Sequence, residues 1–448
     1  MNTEEYIPAR LSDDYGSIID SNGCSVAYED PRVVHVLTDI TNPLTVRLVQ
    51  AVYAKHGKRC RPAGQLDHGV MQYAKTVCSG RECLPMISMA GGMVKDAKVH
   101  RHKDDICIYT TLDQEGPCQN GAWPLVWRSF CRRLNVKHLI PGINRNTVPF
   151  HLGLSDSHLK AINDSILLGD LFEEARNALT VAAQNPATAR QEFDRGFARF
   201  TETLKTSDDS LDRMLSDWAE AVKRIPLSLG IAEVPKVLII GGLNLMFVHE
   251  PVSAYLLEQG IAPKVVDVAD GACWVESEGT IRLGFEKGLM TPGEQFTFKP
   301  AREDRSSALK IRRSRLGVKM IESRLLRFRA AMGESGLLFD RHHRYADVVA
   351  AGHPYASGNS FTETTATVGR FILSSKDHLY DGFVNLGAFN CQPAMNAQAI
   401  LRFLAGRSDQ PYVAIDCEGP WLSTSQHRLL ETLSVRAKRH KADGRKRR

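Results

Sequence analysis

Short apolar runs, roughly five residues each and set between longer stretches of helical periodicity, constrain this chain more than any other feature. Val33 to Leu37, Ile106 to Thr110, Lys236 to Ile240, Gly382 to Leu386 and Tyr412 to Asp416 read this way, with His138 to Ile140 and Lys264 to Asp267 as shorter members. Helical stretches follow them: Leu44 to Lys55 closed by Gly57, Cys83 to Met93, Ala122 to Leu134, Val252 to Gln259, Met395 to Leu404, and Ser425 to about Arg439. Strands apolar along their whole length are buried on both faces, and alternation with helices is the pattern of a parallel sheet covered on both sides. The expected fold class is α/β, with two or more doubly wound Rossmann-like domains built on small parallel sheets, plus a helical region.

At 448 residues the chain exceeds one ordinary core. Residues 1–32 are polar and lack clear periodicity, so a leader or docking arm is expected; Asp14-Tyr15-Gly16-Ser17 within it reads as a plain loop. A first α/β domain follows at 33–155, carrying Cys83 and Cys118. Long amphipathic runs, Leu167 to Gln184 and Thr188 to Leu204, define a helical region at 156–232. A second α/β unit spans 233–300, opening on a strand that ends in Gly241-Gly242. That glycine pair lacks the full nucleotide-binding fingerprint and reads as close strand-to-helix packing. A basic helical segment covers 301–350. Between Arg305 and Arg329 it has nine Lys/Arg and one Glu, with Leu316, Met320 and Leu325 as its expected core side. A C-terminal α/β unit with Cys391 occupies 351–435, and 436–448 is expected to be a basic disordered tail.

The net charge of +6 is concentrated in that tail, where eight Lys/Arg face one Asp, so the rest of the chain is nearly neutral. Nucleic-acid binding by the body is therefore not expected, beyond weak contacts through the tail. No apolar run approaches a membrane span. Acidic Glu4 and Glu5 stand where a signal peptide would be basic, so a cytoplasmic location is expected. Ten cysteines in a reducing compartment point to metal, redox or catalytic chemistry rather than disulfides.

Three of the ten stand out. Cys83 (Arg81-Glu82-Cys83-Leu84-Pro85), Cys118 (Gly116-Pro117-Cys118-Gln119-Asn120-Gly121) and Cys391 (Asn390-Cys391-Gln392-Pro393) each sit in a loop running into a helix. A helix N-terminus offers free N–H groups and a positive dipole end, which favour a thiolate. Three such thiolates could hold an iron–sulfur cluster. Their spacing, 35 and 273 residues, does not single out a cluster by itself. Cys107, inside a strand, and Cys24, Cys60, Cys131 and Cys273, without a motif, read as packing residues. Cys78 and Cys417 are possible further ligands. A structural zinc site at the same three cysteines is an alternative, although no fourth ligand is evident.

Taken together, the three cysteine blocks resemble those of the 2-hydroxyacyl-CoA dehydratase superfamily, especially the C-terminal region of large acyl-CoA dehydratase activase-related proteins. The third block, from Asp381 to Pro393, is the longest. Lys236 to Gly260 and Val413 to Leu433 are similar to that superfamily's remaining α/β pieces, so the resemblance runs from about residue 33 to 435. It implies that Cys83, Cys118 and Cys391 ligate a [4Fe–4S] cluster with one iron position open. It further implies ATP-coupled, low-potential electron transfer in anaerobic metabolism, an acyl-CoA or other small-molecule substrate, and a homo- or hetero-oligomer. Gln119 departs from the pattern, which often has a basic residue there. No complete ATP site is present, so a separate ATPase subunit is implied. No catalytic acid or base is identified: Glu82, His353 and Glu418 are only near the cysteines in sequence, while Glu82, Gly116, Pro117 and Pro393 are expected to shape the loops. The alternative is a non-catalytic subunit or interaction module without a cluster, docking a partner through 305–329 and 436–448.

Overall fold

The computed structural model describes residues 7–40, 42–111, 118–144, 148–243, 245–286, 305–357 and 362–446. Gly116, Pro117 and residues 287–300 of the expected second α/β unit lie outside them. The chain divides into two compact units: one of 1–166 with 201–208, the other of 167–200 with 209–448.

In the first unit the polar N-terminal segment, expected as a leader or docking arm, forms strands from Arg10 onward. Strands β1 (Arg10–Leu11), β2 (Ile18–Ile19) and β3 (Ser25–Val26) form a small antiparallel sheet. Ala9, Ile18, Val26 and Tyr28 bury against Val33, Ile106 and Ile140 of the main sheet. Burial of this apolar set explains why a polar segment with no periodicity still folds. The main sheet contains β4 (Val33–Leu37), β5 (Arg59–Pro62), β6 (Ile106–Thr110) and β7 (Leu139–Ile143). All are parallel, in the order β5-β4-β6-β7. Helices α1 (Pro43–Lys55), α2 (His68–Ala74), α3 (Leu84–Lys95) and α4 (Trp123–Leu134) connect them. Asn42 caps α1, its Oδ1 accepting the Leu44 amide at 2.9 Å. At the far end of α3, the buried Asp96 carboxylate takes both Nε (2.7 Å) and Nη2 (2.9 Å) of Arg61 from β5. That two-point ion pair ties the helix to the sheet.

Helices α5 (Asp156–Ala182), α6 (Pro186–Thr206) and α7 (Leu211–Lys223) form the expected helical region, with Phe172, Phe193, Phe197 and Trp218 as its aromatic core. In the second unit follow β8 (Lys236–Ile240), α8 (Leu245–Val248), α9 (Glu250–Glu258), β9 (Ala262–Val265), α10 (Val268–Glu286), α11 (Arg305–Gly333), α12 (Tyr345–Gly352), α13 (Thr364–Asp377), β10 (Gly382–Ala388), α14 (Gln392–Ala405), β11 (Tyr412–Cys417) and α15 (Thr424–Lys446). The four strands make one parallel sheet, ordered β11-β10-β8-β9. The strands expected in two separate α/β units therefore share a single sheet. Gly241 owes its identity to that pairing: a Cβ there would overlap the Leu386 carbonyl of β10. A Cβ at Gly241 would also meet Leu245 of α8 and one at Gly242 would meet Glu363 before α13, so the pair packs against both a strand and helix starts.

Two helical expectations are corrected. The tail from 436 continues α15 through Lys446, because Leu430, Leu433 and Ala437 bury one side of that helix. On α11 the buried stripe is Ile311, Val318, Leu325, Phe328 and Met332, whereas Leu316 and Met320 face solvent.

Both sheets share one topology. In each, the first strand in sequence lies between the second and third, with the fourth beyond the third. Neighbouring connections then leave in opposite directions where the first and third strands meet, and the crevice at their carboxyl ends is where ligands of such sheets bind. Cys118 lies in the connection after the third strand of the first sheet, and Cys391 after the third strand of the second.

Candidate functional site

In the first unit the site begins with the loop before α3. Gly80 has φ +85°, and the Glu82 carboxylate gathers the amides of Ser79 (3.0 Å), Gly80 (2.9 Å) and Arg81 (3.1 Å). Burial works to raise its pKa, but those amides and the Ser79 hydroxyl prevail and hold it below the usual carboxylate value. Glu82 is an acceptor committed to the loop rather than a free general acid. Cys83 is the N-cap of α3, in extended backbone, with Pro85 in the first helical turn. Its thiol makes no capping hydrogen bond and is 5% exposed. Burial pushes it up to about 12; the Met86 amide opposes that rise and the neighbouring Cys118 adds to it.

Cys118 is itself the N-cap of a short 3-10 turn, Gln119–Ala122, that leads into α4. The two cysteine loops are joined by one hydrogen bond: the Cys83 N–H donates to Gln119 Oε1 at 2.9 Å. Cys78 is half-buried in the same locality, pushed up to about 12 by burial, then by Glu82 and by Cys83. Three thiols of the first unit are thus within electrostatic reach along the series Cys78, Cys83, Cys118. In the turn after Cys118, the buried Asn120 Oδ1 and Trp123 Nε1 have no hydrogen-bond partner. Orphaned buried polar atoms are costly and mark places where a further group would be accommodated. Among the described residues, no group of three His, Cys, Asp or Glu is arranged to hold a metal ion.

In the second unit Cys391 is the buried N-cap of α14, preceded by Asn390 at φ +59° and followed by Pro393 in the first turn. Its amide donates to the Ala388 carbonyl at 3.0 Å, closing a tight turn off the end of β10. Pro393 lies in the first turn of α14, and its carbonyl accepts the Thr364 hydroxyl at 3.1 Å. Glu363, next to Thr364, is held above the usual carboxylate pKa by burial and crowds Gly242 at the end of β8. Sequence reasoning missed Glu363 because nothing local marks it; only the fold brings it to the strand ends. Cys417 is buried, and its thiol donates to the Val248 carbonyl at 3.8 Å. Glu418 is exposed, and His353 ends α12. Cys107 packs inside β6, its sulfur accepting from Arg61 Nη2 at 3.4 Å.

No family model matches the chain, and no curated protein matches it. Among the described residues, no helix is long and apolar enough to cross a membrane.

Proposed function

We propose that this chain is a [4Fe–4S] protein of ATP-coupled, low-potential electron transfer, related to 2-hydroxyacyl-CoA dehydratase and activase systems and working with a separate ATPase subunit. The observation that carries the reading is the bond from the Cys83 amide to Gln119, which holds two cysteine N-caps of the first unit together. Cys83, Cys118 and Cys391 would be the ligands, leaving one iron position for a small molecule. A bound cluster supplies single electrons at a potential set by hydrogen bonds to its sulfurs and by solvent access.

The chain's own residues fit that task. Cys83 and Cys391 are buried at helix starts and Cys118 is half-buried, and the positive helix end favours their ionised form once metal is bound. The Met86 amide lies where it lowers the cost of a thiolate at Cys83. Glu82 fixes the loop that presents Cys83. The reaction's acid or base stays unassigned.

Iron and acid-labile sulfide, measured on anaerobically purified protein beside Cys118→Ala, test the proposal. The expected result is about four of each per chain, lost in the variant, with a brown colour. A colourless protein with no iron after anaerobic reconstitution would leave the alternative, an interaction module without a cluster.

A further inference from the structure

Helix α11 carries two apolar stripes. Ile311, Val318, Leu325, Phe328 and Met332 are buried within the second unit. On the other side Leu309 is 69% exposed, Leu316 58% and Met320 47%, while Leu326, 50% exposed, lies between the two stripes. Lys310, Arg312, Arg313, Lys319 and Arg327 are exposed beside them. Glu322, the one acid of the helix, is not among them: its Oε1 accepts the Tyr345 amide at 2.6 Å.

We propose that this face of α11 is a docking surface for an acidic amphipathic helix of another protein. The spacing carries the argument. Leu309, Leu316 and Met320 recur at seven and four residues, which places them in a stripe only about 40° wide on a 3.6-residue helix. A stripe so narrow is the seam of a two-helix contact, whereas lying in a membrane surface calls for a broad apolar face. Arg313 falls beside the seam, Arg312 and Lys319 border it on one side, and Arg327, at its far end, is already paired with Asp212 of α7 at 3.1 Å. The complement is therefore a helix with leucine-like side chains at the same repeat and Asp or Glu at the bordering positions. A second copy paired through the same face would set arginine against arginine. The inference rests on α11 alone and stands whether or not a cluster is bound.

The test uses the full chain and a fluorescent helical peptide with leucines at the seven-and-four repeat flanked by glutamates, read by anisotropy. Saturable binding is expected, weakened about tenfold or more by L316D/M320D and similarly by R312E/R313E. A peptide with lysines in place of the glutamates should restore binding to R312E/R313E. All substituted side chains are exposed, so the melting temperature should not change. No saturable binding overturns the proposal. So does equal binding of a scrambled peptide of the same composition, which would mean charge alone. Capture of phosphatidylglycerol vesicles or self-association, lost in L316D/M320D, overturns it in favour of a membrane or a second copy.

Discussion

The backbone N–H of Cys83 points at the side-chain oxygen of Gln119, 2.9 Å away, so the residue after one cysteine holds the loop of another. A lysine or arginine at position 119 would have no acceptor for that N–H. Gln119→Ala and Gln119→Lys should each cost about 1 kcal/mol and remove the protection of the Cys83 amide in hydrogen exchange. Gln119→Glu keeps an acceptor and should preserve it. Equal protection in all three variants would mean that the bond does not hold the loop.

Helices α12 and α13 meet through bare backbone. A Cβ at Gly369 would overlap the Val348 carbonyl, and one at Gly352 would overlap the Thr365 carbonyl. Neither obstacle is a flexible side chain that could swing away. Gly369→Ala should therefore destabilise the second unit by about 3 kcal/mol or more, near the upper end for overpacking. Gly333→Ala, with nothing within 4 Å, should stay within about 0.5 kcal/mol of the parent in urea unfolding. Similar midpoints for the two variants would contradict the close crossing.

Charge is buried deep in the second unit. Arg370 Nη2 lies 2.6 Å from Asp340 Oδ2, Tyr380 donates its hydroxyl to the same carboxylate, and Arg329 Nη1 lies 2.9 Å from Glu174 Oε2. Lys264 bridges Glu174 and Asp267. Removing one member leaves its partner charged and dry. Arg370→Met should cost about 3–5 kcal/mol, and adding Asp340→Asn should recover part of that loss. Strict additivity in the double-mutant cycle would show that the two side chains do not act as a pair.

Much of this architecture is written in local pattern, and the exceptions have physical causes. Val33 to Leu37 and Ile106 to Thr110 announce themselves because both faces of each strand are buried. Strand β5 does not, because Arg-Cys-Arg-Pro is an edge strand whose arginines are matched by Asp96 and Asp105, acids distant in sequence. Periodicity finds the apolar residues of α11 but cannot choose between two opposite stripes, so Leu316 and Met320 were assigned to the wrong side. The dense Lys/Arg of the last residues hides the few buried contacts that keep α15 helical. Residue type and loop position single out Cys83, Cys118 and Cys391 in the sequence, and within the first unit the fold joins the loops of Cys83 and Cys118. Glu363 and Gln119 act through neighbours that only folding supplies.

His158 offers a pH-dependent handle on the first unit. It is buried, its Nε2 has no hydrogen-bond partner, and its ring stacks on His56 at 3.9 Å, with Tyr53 on another side at 5.3 Å. Burial lowers its pKa from 6.5 to about 4, and the positive charges of His56 and Lys58 act in the same direction. The folded form thus holds a neutral ring that the unfolded chain would protonate near pH 6.5. More protons are bound unfolded than folded in that window, so stability rises with pH there. The contribution is fully present above pH 6.5 and is lost as the pH falls toward about 4. His158→Phe keeps an aromatic ring in place and removes the titration. Its unfolding free energy should therefore fall less steeply than the parent's between those limits, with the difference between the two curves isolating this residue from titrating carboxylates. Parallel curves for parent and variant would show that His158 is not held neutral by the fold.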